Sequence, residues 1–490
     1  MVSVETIKTQ VAVLGAGPAG LAAALRAAQL GLQVDLFEKT GTHGGVHSGG
    51  IGPFAAGSHI QKKYGRTDGT VEKAYKYLMD FTHATIDARL ASAFIRKTAF
   101  TIQWLEDLGV IFADPNTCPF DPPGDNAHFC HTYDPSPEFP GVDRYLPDLL
   151  RKRIDEQPKV TLHFNAAGKR LLTNDGAVTG LIVQTADGDE ITVEAGAVII
   201  GTGGFMGNPE LLKKYTTYEN DKTVFFSCQR PNICGDGMQM AWAIGAGHSE
   251  MMLDVYKGMP IYCGPMGTKP EWSLLADPNL MVNCRGERFI DETCERYYLA
   301  NAIHRQPGGY AYMVTASSVT DRFLTDGVSF MVPADSDPPY TDVEKIVAEA
   351  EALNYPYLFS ANSPEELAQK MGVPCDVFLQ TLAEYNEACE TGSDTIFFKQ
   401  DNLKKLEGKR WFAAQFYVDS FGALGGLKIN DKTEVIRDDL TPIPGLYGAG
   451  SEANSIYAGT YPGVLSGNTS GFAYTTGIMA AESAAQFLKA

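Results

Sequence analysis

QVAVLGAGPAG, residues 10–20, is the stretch on which the reading of this chain turns. Residues 10–14 form a short β-branched run of the kind buried in a parallel sheet. The run passes straight into Gly15-Ala16-Gly17-Pro18-Ala19-Gly20, after which the alanine-rich residues 19–30 predict a helix and Gly31 its stop. Residues 32–37 (LQVDLF) predict a second strand that ends at Glu38. A G-x-G-x-x-G turn between strand and helix, with an acid about 20 residues on, is the fingerprint of a dinucleotide site. Gly15 permits the tight turn, Gly17 lets a diphosphate approach the backbone, and Gly20 lets helix and strand pack closely. The helix start offers unpaired N–H groups and a positive dipole end to the phosphates. Glu38 suits the ribose hydroxyls.

The next segment separates one dinucleotide from another. After Lys39 comes THGGVHSGGIG, residues 42–52, where a dehydrogenase binding a nicotinamide cofactor usually proceeds to another βα unit. A long glycine-rich run at this point follows the diphosphate and ring of FAD instead, so FAD is the expected cofactor.

Working outward, residues 71–109 predict helix, with Ala74, Tyr77, Leu78, Phe81, Phe94, Phe100, Trp104, Leu105 and Leu108 at three- and four-residue spacing as core. Residues 118–140 read as a long Pro-, Asp- and His-rich loop, and His128 and His131 are expected to be surface residues of it rather than metal ligands. Residues 160–164, 170–173, 178–185 and 190–195 predict a meander with turns at Asn174-Asp175-Gly176 and Asp187-Gly188. It runs into Ile199-Ile200-Gly201-Thr202-Gly203-Gly204-Phe205, a second place for backbone to meet the dinucleotide. Cys234-Gly235-Asp236-Gly237 opens a helix expected over 238–244. From about residue 254 to 415 the composition changes to loops, aromatics and short helices, as of a domain inserted into the first. The first domain resumes with GLYGAG (445–450), a glycine-rich loop at 459–471 and a small-residue helix expected over 472–488, whose start would face an electron-rich ring edge. The fold expected is therefore α/β: a Rossmann-type FAD-binding domain split between residues 1–253 and 416–490, with an α+β capping (substrate) domain at 254–415.

Bulk properties narrow the partners. The formal charge of −19 argues against nucleic acid and anionic membranes. Nine scattered cysteines without a C-x-x-C pair fit free thiols, not a zinc site or an iron–sulfur run, and no metal is expected. Residues 1–9 carry neither the basic nor the apolar run of a leader, and no stretch reaches the ~18–20 apolar residues of a membrane span, so the expected location is the cytoplasm.

The ordered set of GAGPAG with Glu38, the GG…SGG segment at 44–50, IIGTGGF (199–205), GDG (235–237), RGERFIDE (285–292) and GLYGAG (445–450) resembles the flavoproteins of the fumarate reductase, urocanate reductase and 3-ketosteroid dehydrogenase superfamily over nearly the whole chain. The resemblance implies hydride transfer between flavin N5 and a carbon β to an electron-withdrawing group, with a proton exchanged at the neighbouring carbon, in a site closed by the cap. It implies cofactor contacts at Gly15, Gly17, Pro18, Ala19, Gly20, Glu38, Lys39, Gly45, Ser48, Gly49, Gly50, Ala167, Thr202, Gly203, Gly204, Asp236, Gly450, Ser451, Gly467, Asn468 and Thr469. Arg296 stands where the fumarate reductases carry their proton-donating arginine; a structural ion pair is the other reading, since an arginine is normally fixed as a cation.

Departures from the family pattern bear on substrate. No histidine precedes GALGG (422–426), and Val464 occupies the position of the second carboxylate-binding arginine, so a small dicarboxylate is disfavoured. Thr460-Tyr461-Pro462-Gly463 resembles the T-Y-P-G of the ketosteroid dehydrogenases, which makes Tyr461 a carbonyl anchor, although their second P-G is replaced by Val464-Leu465. Tyr297 is a further catalytic candidate, with Tyr298 and Tyr256 weaker. His43 and His47 flank the glycine-rich loop where succinate dehydrogenases attach FAD; the shorter loop here makes attachment unexpected. The expected activity is that of an FAD-dependent ene-reductase or dehydrogenase of a fairly apolar, perhaps cyclic or steroid-like enone. The alternatives are an FAD oxidase or dehydrogenase of another substrate class, a fumarate-reductase-like enzyme of an unsaturated acid, and a non-enzymatic electron carrier. With no C-x-x-C-H haem motif and no evident FMN domain, electrons must exchange with an external donor or acceptor.

Overall fold

The computed structural model describes residues 6–45, 52–115, 127–133, 145–218, 224–225, 232–258, 277–323 and 343–489. Its strands are β1 (Thr6–Leu14), β2 (Val34–Phe37), β3 (Val160–His163), β4 (Ala166–Asn174), β5 (Ala177–Thr185), β6 (Glu190–Ile200), β7 (Val224–Phe225), β8 (His248–Gly258), β9 (Leu280–Val282), β10 (Tyr310–Ala316), β11 (Leu358–Ala361), β12 (Trp411–Leu427), β13 (Glu434–Ile436) and β14 (Pro442–Gly448). Its helices are α1 (Pro18–Gln29), α2 (His59–Lys63), α3 (Val71–Phe81), α4 (Ala88–Asp107), α5 (Tyr145–Asp155), α6 (Pro209–Tyr215), α7 (Asp236–Trp242), α8 (Arg296–His304), α9 (Ser317–Thr320), α10 (Val343–Ala352), α11 (Pro364–Met371), α12 (Cys375–Thr391) and α13 (Asn468–Phe487). The chain is mixed α/β and forms two compact units: residues 1–217, 228–254 and 422–490, and residues 218–227 and 255–421.

The first unit is built on a sheet ordered β13-β14-β6-β1-β2-β3, with β4 and β5 attached through β6. β1 runs parallel to both β2 and β6, and β14 parallel to β6, so Leu14, Phe37, Ile200 and Gly448 all end at one edge of the sheet. α1 buries an almost unbroken row of Ala and Leu against α13, another small-residue helix, in the core shared with α4 and α5. The second unit has its own sheet, β11-β12-β10-β9, in which β10 and β12 pair antiparallel from Tyr310–Tyr417 to Ala316–Trp411.

Several local expectations change. The helix over 71–109 is two helices, because His83 and Ala84 take positive φ (50° and 56°) and Asp87 accepts hydrogen bonds from Arg89 N and Leu90 N to start α4 anew. Phe100 is not core: it is 37% exposed, with the Lys97 ammonium 3.8 Å above its ring. The first of the four meander strands, β3, leaves the meander and pairs parallel with β2. The last helix starts at Asn468, ahead of the expected residue 472.

His131 is also corrected, from surface loop to fully buried. Its Nδ1 lies 3.0 Å from the Phe129 carbonyl and so carries the proton; Nε2 therefore accepts from Ser58 Oγ at 2.6 Å. Burial lowers its pKa from 6.5 to about 4. Between those values the unfolded chain binds a proton that the folded chain refuses, so stability falls as pH drops from 6.5 towards 4, by about 3 kcal/mol in all. Denaturant titrations of wild type and His131→Asn across this range are expected to show a shallower pH dependence in the variant. Equal slopes would remove His131 from the account.

Candidate functional site

The glycine turns that follow β1, β6 and β14 meet at the common sheet edge. Gly15 N donates to Phe37 O at 2.8 Å, Gly201 N to Leu14 O at 2.9 Å and Ala449 N to Ile200 O at 2.9 Å. A Cβ on Gly20 would lie 1.8 Å from Gly15 O, and one on Gly450 would lie 2.9 Å from Ala19 Cβ. The N-terminal and C-terminal parts of the chain therefore come together here, with Gly45 against Gly17 and Gly44 N bonded to Ala16 O at 2.8 Å.

Gly17 differs from its neighbours. Its φ of −81° is open to any residue, and a Cβ would meet nothing nearer than Gly45 Cα at 3.8 Å. Neither strain nor internal packing calls for glycine there, which leaves an external group that needs the space. Gly17 also begins α1 without any side-chain cap, Pro18 follows in the first turn, and no acid stands in that turn. α13 begins in the same way at Gly467, uncapped and with no acid in its first turn. Two buried polar atoms there, Asn468 Oδ1 and Ser470 Oγ, have no hydrogen-bond partner. Two helix starts with orphan donors, one beside a backbone groove with room for phosphate, fit FAD.

The remaining expected contacts fall in the first unit as follows. The Glu38 carboxylate accepts from Ala16 N (2.9 Å), Thr40 N (2.9 Å) and Thr40 Oγ1 (2.8 Å), which ties the acid to the glycine turn and leaves one acceptor site over. Lys39 and Asp236 engage each other at 2.7 Å. Ala167 lies on β4 beside Ala166, whose N–H donates to Glu38 O at 2.9 Å. Gly204 O accepts from Gly235 N at 2.8 Å, bringing the TGG turn to the start of α7. Ser451 opens a short 3-10 turn after Gly450, and Thr469 is half-buried in the first turn of α13. Ser48, Gly49 and Gly50 lie outside the described residues. His43 Nε2 is 2.9 Å from Asp148 Oδ1 on α5.

Sequence reading missed Glu452. It is fully buried, and its carboxylate accepts from Thr202 N, from Thr202 Oγ1 at 2.6 Å and from Gly203 N at 3.4 Å. Thr202 Oγ1 in turn accepts from Gly237 N at 3.1 Å, so this one acid holds the TGG turn onto α7. Burial pushes its pKa up to about 7, with the charge of Asp236 adding to the rise and the Thr202 and Gly203 hydrogen bonds opposing it. No motif marks it, since an acid two residues past GAG says nothing of its burial.

Of the catalytic candidates, Tyr461 belongs to the first unit. It is 4% exposed, on the segment between β14 and α13, with its ring edge-on to the fully buried Tyr457 at 5.7 Å. The Tyr457 hydroxyl accepts from Asn454 Nδ2 at 3.2 Å. Arg296 and Tyr297 are the first residues of α8 in the second unit; Glu295 caps that helix by accepting from Tyr297 N at 2.9 Å, and Tyr297 is buried. Among the described residues no cluster of side chains is arranged to hold a metal ion, and no helix is long and apolar enough to cross a membrane.

Comparison with known proteins agrees with the cradle. Residues 10–469 match the FAD binding domain family. Vinyl phenol reductase of Lactiplantibacillus plantarum is 30% identical over 97% of this chain and 96% of its own length. Urocanate reductase of Eggerthella lenta is 28% identical over 91% of this chain and 70% of its own length. In fold, the chain superposes on the 3-ketosteroid-Δ4-(5α)-dehydrogenase of Rhodococcus jostii with a TM-score of 0.74 at 22% identity, covering 99% of this chain and 98% of that one.

Proposed function

The chain belongs to the FAD-binding domain family, and we propose that this FAD-dependent oxidoreductase reduces a carbon–carbon double bond conjugated to an oxygen-bearing π system in a flat, mostly apolar substrate, of which a vinyl phenol or a cyclic enone is the type. The first unit is then the FAD-binding domain, split in sequence, and the second the capping domain. The observation that carries the reading is the buried phenol of Tyr461, with Val464 three residues on, in the segment that joins Gly450 to α13. A neutral hydrogen-bond donor suits an oxygen that gains and loses negative charge during reaction; it does not suit two permanent carboxylates. The end-to-end relation to a vinyl phenol reductase supports an aromatic substrate of this kind.

FAD, when bound, supplies the hydride through N5. The residues do the rest. In an enone the oxygen becomes an enolate as hydride reaches the β carbon, and the α carbon takes a proton. In a vinyl phenol the phenolic oxygen releases its proton and pushes electrons outward. The terminal carbon then takes a proton, the oxygen becomes a carbonyl, and hydride at the benzylic carbon restores the phenolate. In both cases one oxygen alternates between C=O and C–O⁻, and the Tyr461 hydroxyl holds it. Arg296 hands the proton to carbon as the general acid.

Tyr461→Phe tests this, since it removes the donor and keeps the ring. Reoxidation of the reduced enzyme by 4-vinylphenol or a cyclic enone is expected to slow by roughly 100-fold with FAD content unchanged. A variant as fast as wild type on both substrates would leave the proposal without its anchor.

A further inference from the structure

Four charged side chains of the second unit lie almost out of water: Arg288 is 7% exposed, Asp394 2%, and Glu292 and Lys399 0%. Both carboxylates and the ammonium are fully engaged. Glu292 Oε1 accepts from Arg288 Nε (2.8 Å) and Met281 N (3.1 Å), and Oε2 from Arg288 Nη2 (3.0 Å) and Lys399 Nζ (3.1 Å). Asp394 Oδ1 accepts from Ile396 N (3.0 Å) and Phe397 N (3.1 Å), and Oδ2 from Lys399 N (3.3 Å) and Arg288 Nη1 (2.7 Å). The Lys399 ammonium spends its other two protons on the carbonyls of Pro278 (2.6 Å) and Asn279 (2.8 Å). The Arg288 guanidinium lies 4.9 Å from the Phe397 ring centroid and 5.4 Å from that of Tyr385 on α12.

We infer that this network is a positioning device for Arg296, locking the segment that delivers it against the start of β9 and the 394–399 loop. The inference rests on the proposed role of Arg296 in proton delivery. Glu292 lies four residues before Arg296, and no strand or helix spans the interval. Instead, local turns carry the constraint forward. Asp291 Oδ1 accepts from Thr293 N (2.8 Å) and Thr293 Oγ1 (2.7 Å), and Glu295 then caps α8. Glu292 thus ties this segment to β9 and to Lys399.

Stability alone does not account for the arrangement. Taking four charges out of water is costly, and apolar side chains of like volume commonly serve stability as well or better. What the charges add is direction. A carboxylate with four fixed donors has one position, whereas apolar contacts tolerate sliding. With both carboxylates and the ammonium fully engaged, the network is suited to holding a position.

The test uses the FAD-loaded enzyme with 4-vinylphenol as probe. Lys399→Met leaves a net buried negative charge and is expected to lower the unfolding midpoint; the folded variant is expected to retain FAD and a KM within about twofold, while the first-order rate of substrate-driven flavin reoxidation falls roughly 10- to 100-fold. Lys399→Arg, which keeps the charge and the donors, is expected to recover most of that rate. If Lys399→Met does not fold, the pair Glu292→Leu with Lys399→Met removes both charges and leaves Arg288 with Asp394. A wild-type rate in either folded variant, or failure of both to fold, would overturn the inference, the latter by showing that the network serves stability. Arg296→Ala measured in parallel separates the two levels. A wild-type rate in Arg296→Ala removes the proton-delivery reading itself, whereas a slow Arg296→Ala beside fast network variants removes only the lock.

Discussion

Gly17→Val is expected to give a folded but colourless protein. The backbone at Gly17 accepts a side chain without strain, at φ −81° and ψ −176°, and the space a Cβ would enter contains no protein atom within 3.8 Å. The FAD-free variant should therefore unfold at the same temperature as wild type stripped of FAD. FAD affinity should fall by at least about 100-fold, near 3 kcal/mol, because the side chain fills the path of the diphosphate beside the α1 start. Gly15 and Gly20 provide the contrast. A Cβ on Gly20 would collide with Gly15 O at 1.8 Å and one on Gly15 with Gly201 O at 2.3 Å, so valine at either is expected to disrupt the sheet edge itself. Flavin absorbance per protein, with thermal unfolding of the FAD-free forms, measures both effects. Normal FAD binding by Gly17→Val would mean that the diphosphate runs elsewhere.

Arg296→Ala carries the second large effect. If this residue delivers the proton, reoxidation of the reduced enzyme by substrate should slow by roughly 10²- to 10⁴-fold, the usual contribution of a general acid. Reduction of the bound flavin by dithionite needs no proton on carbon and should proceed at the wild-type rate. A parallel loss of both half-reactions would point to a damaged FAD site. An Arg296→Ala enzyme at full speed would return the residue to the structural ion-pair reading.

What the sequence reveals follows the range of the interactions involved. GAGPAG was legible because turn, helix and flanking strands sit within about thirty residues of one another. Composition changes near residue 254, and the main segment of the second unit begins at residue 255. The break at His83 and Ala84 was not, since neither residue type advertises a left-handed backbone. Nor was the parallel pairing of β3 with β2, which depends on partners more than a hundred residues apart. Glu452 and the Arg288–Glu292–Asp394–Lys399 network share that difficulty: an acid or a lysine in sequence reads as surface, and only burial beside distant donors gives it a task. Tyr461 lies between these cases, visible by family resemblance but with its burial and its packing on Tyr457 seen only in three dimensions.

An anaerobic titration of the dithionite-reduced enzyme bears on all of this at once. On adding 4-vinylphenol or a cyclic enone, the oxidised flavin spectrum is expected to return at one equivalent of substrate per FAD, with the saturated compound as product, while fumarate leaves the flavin reduced. A flavin that stays reduced with every neutral conjugated alkene, or that is reoxidised by fumarate alone, would contradict the assignment.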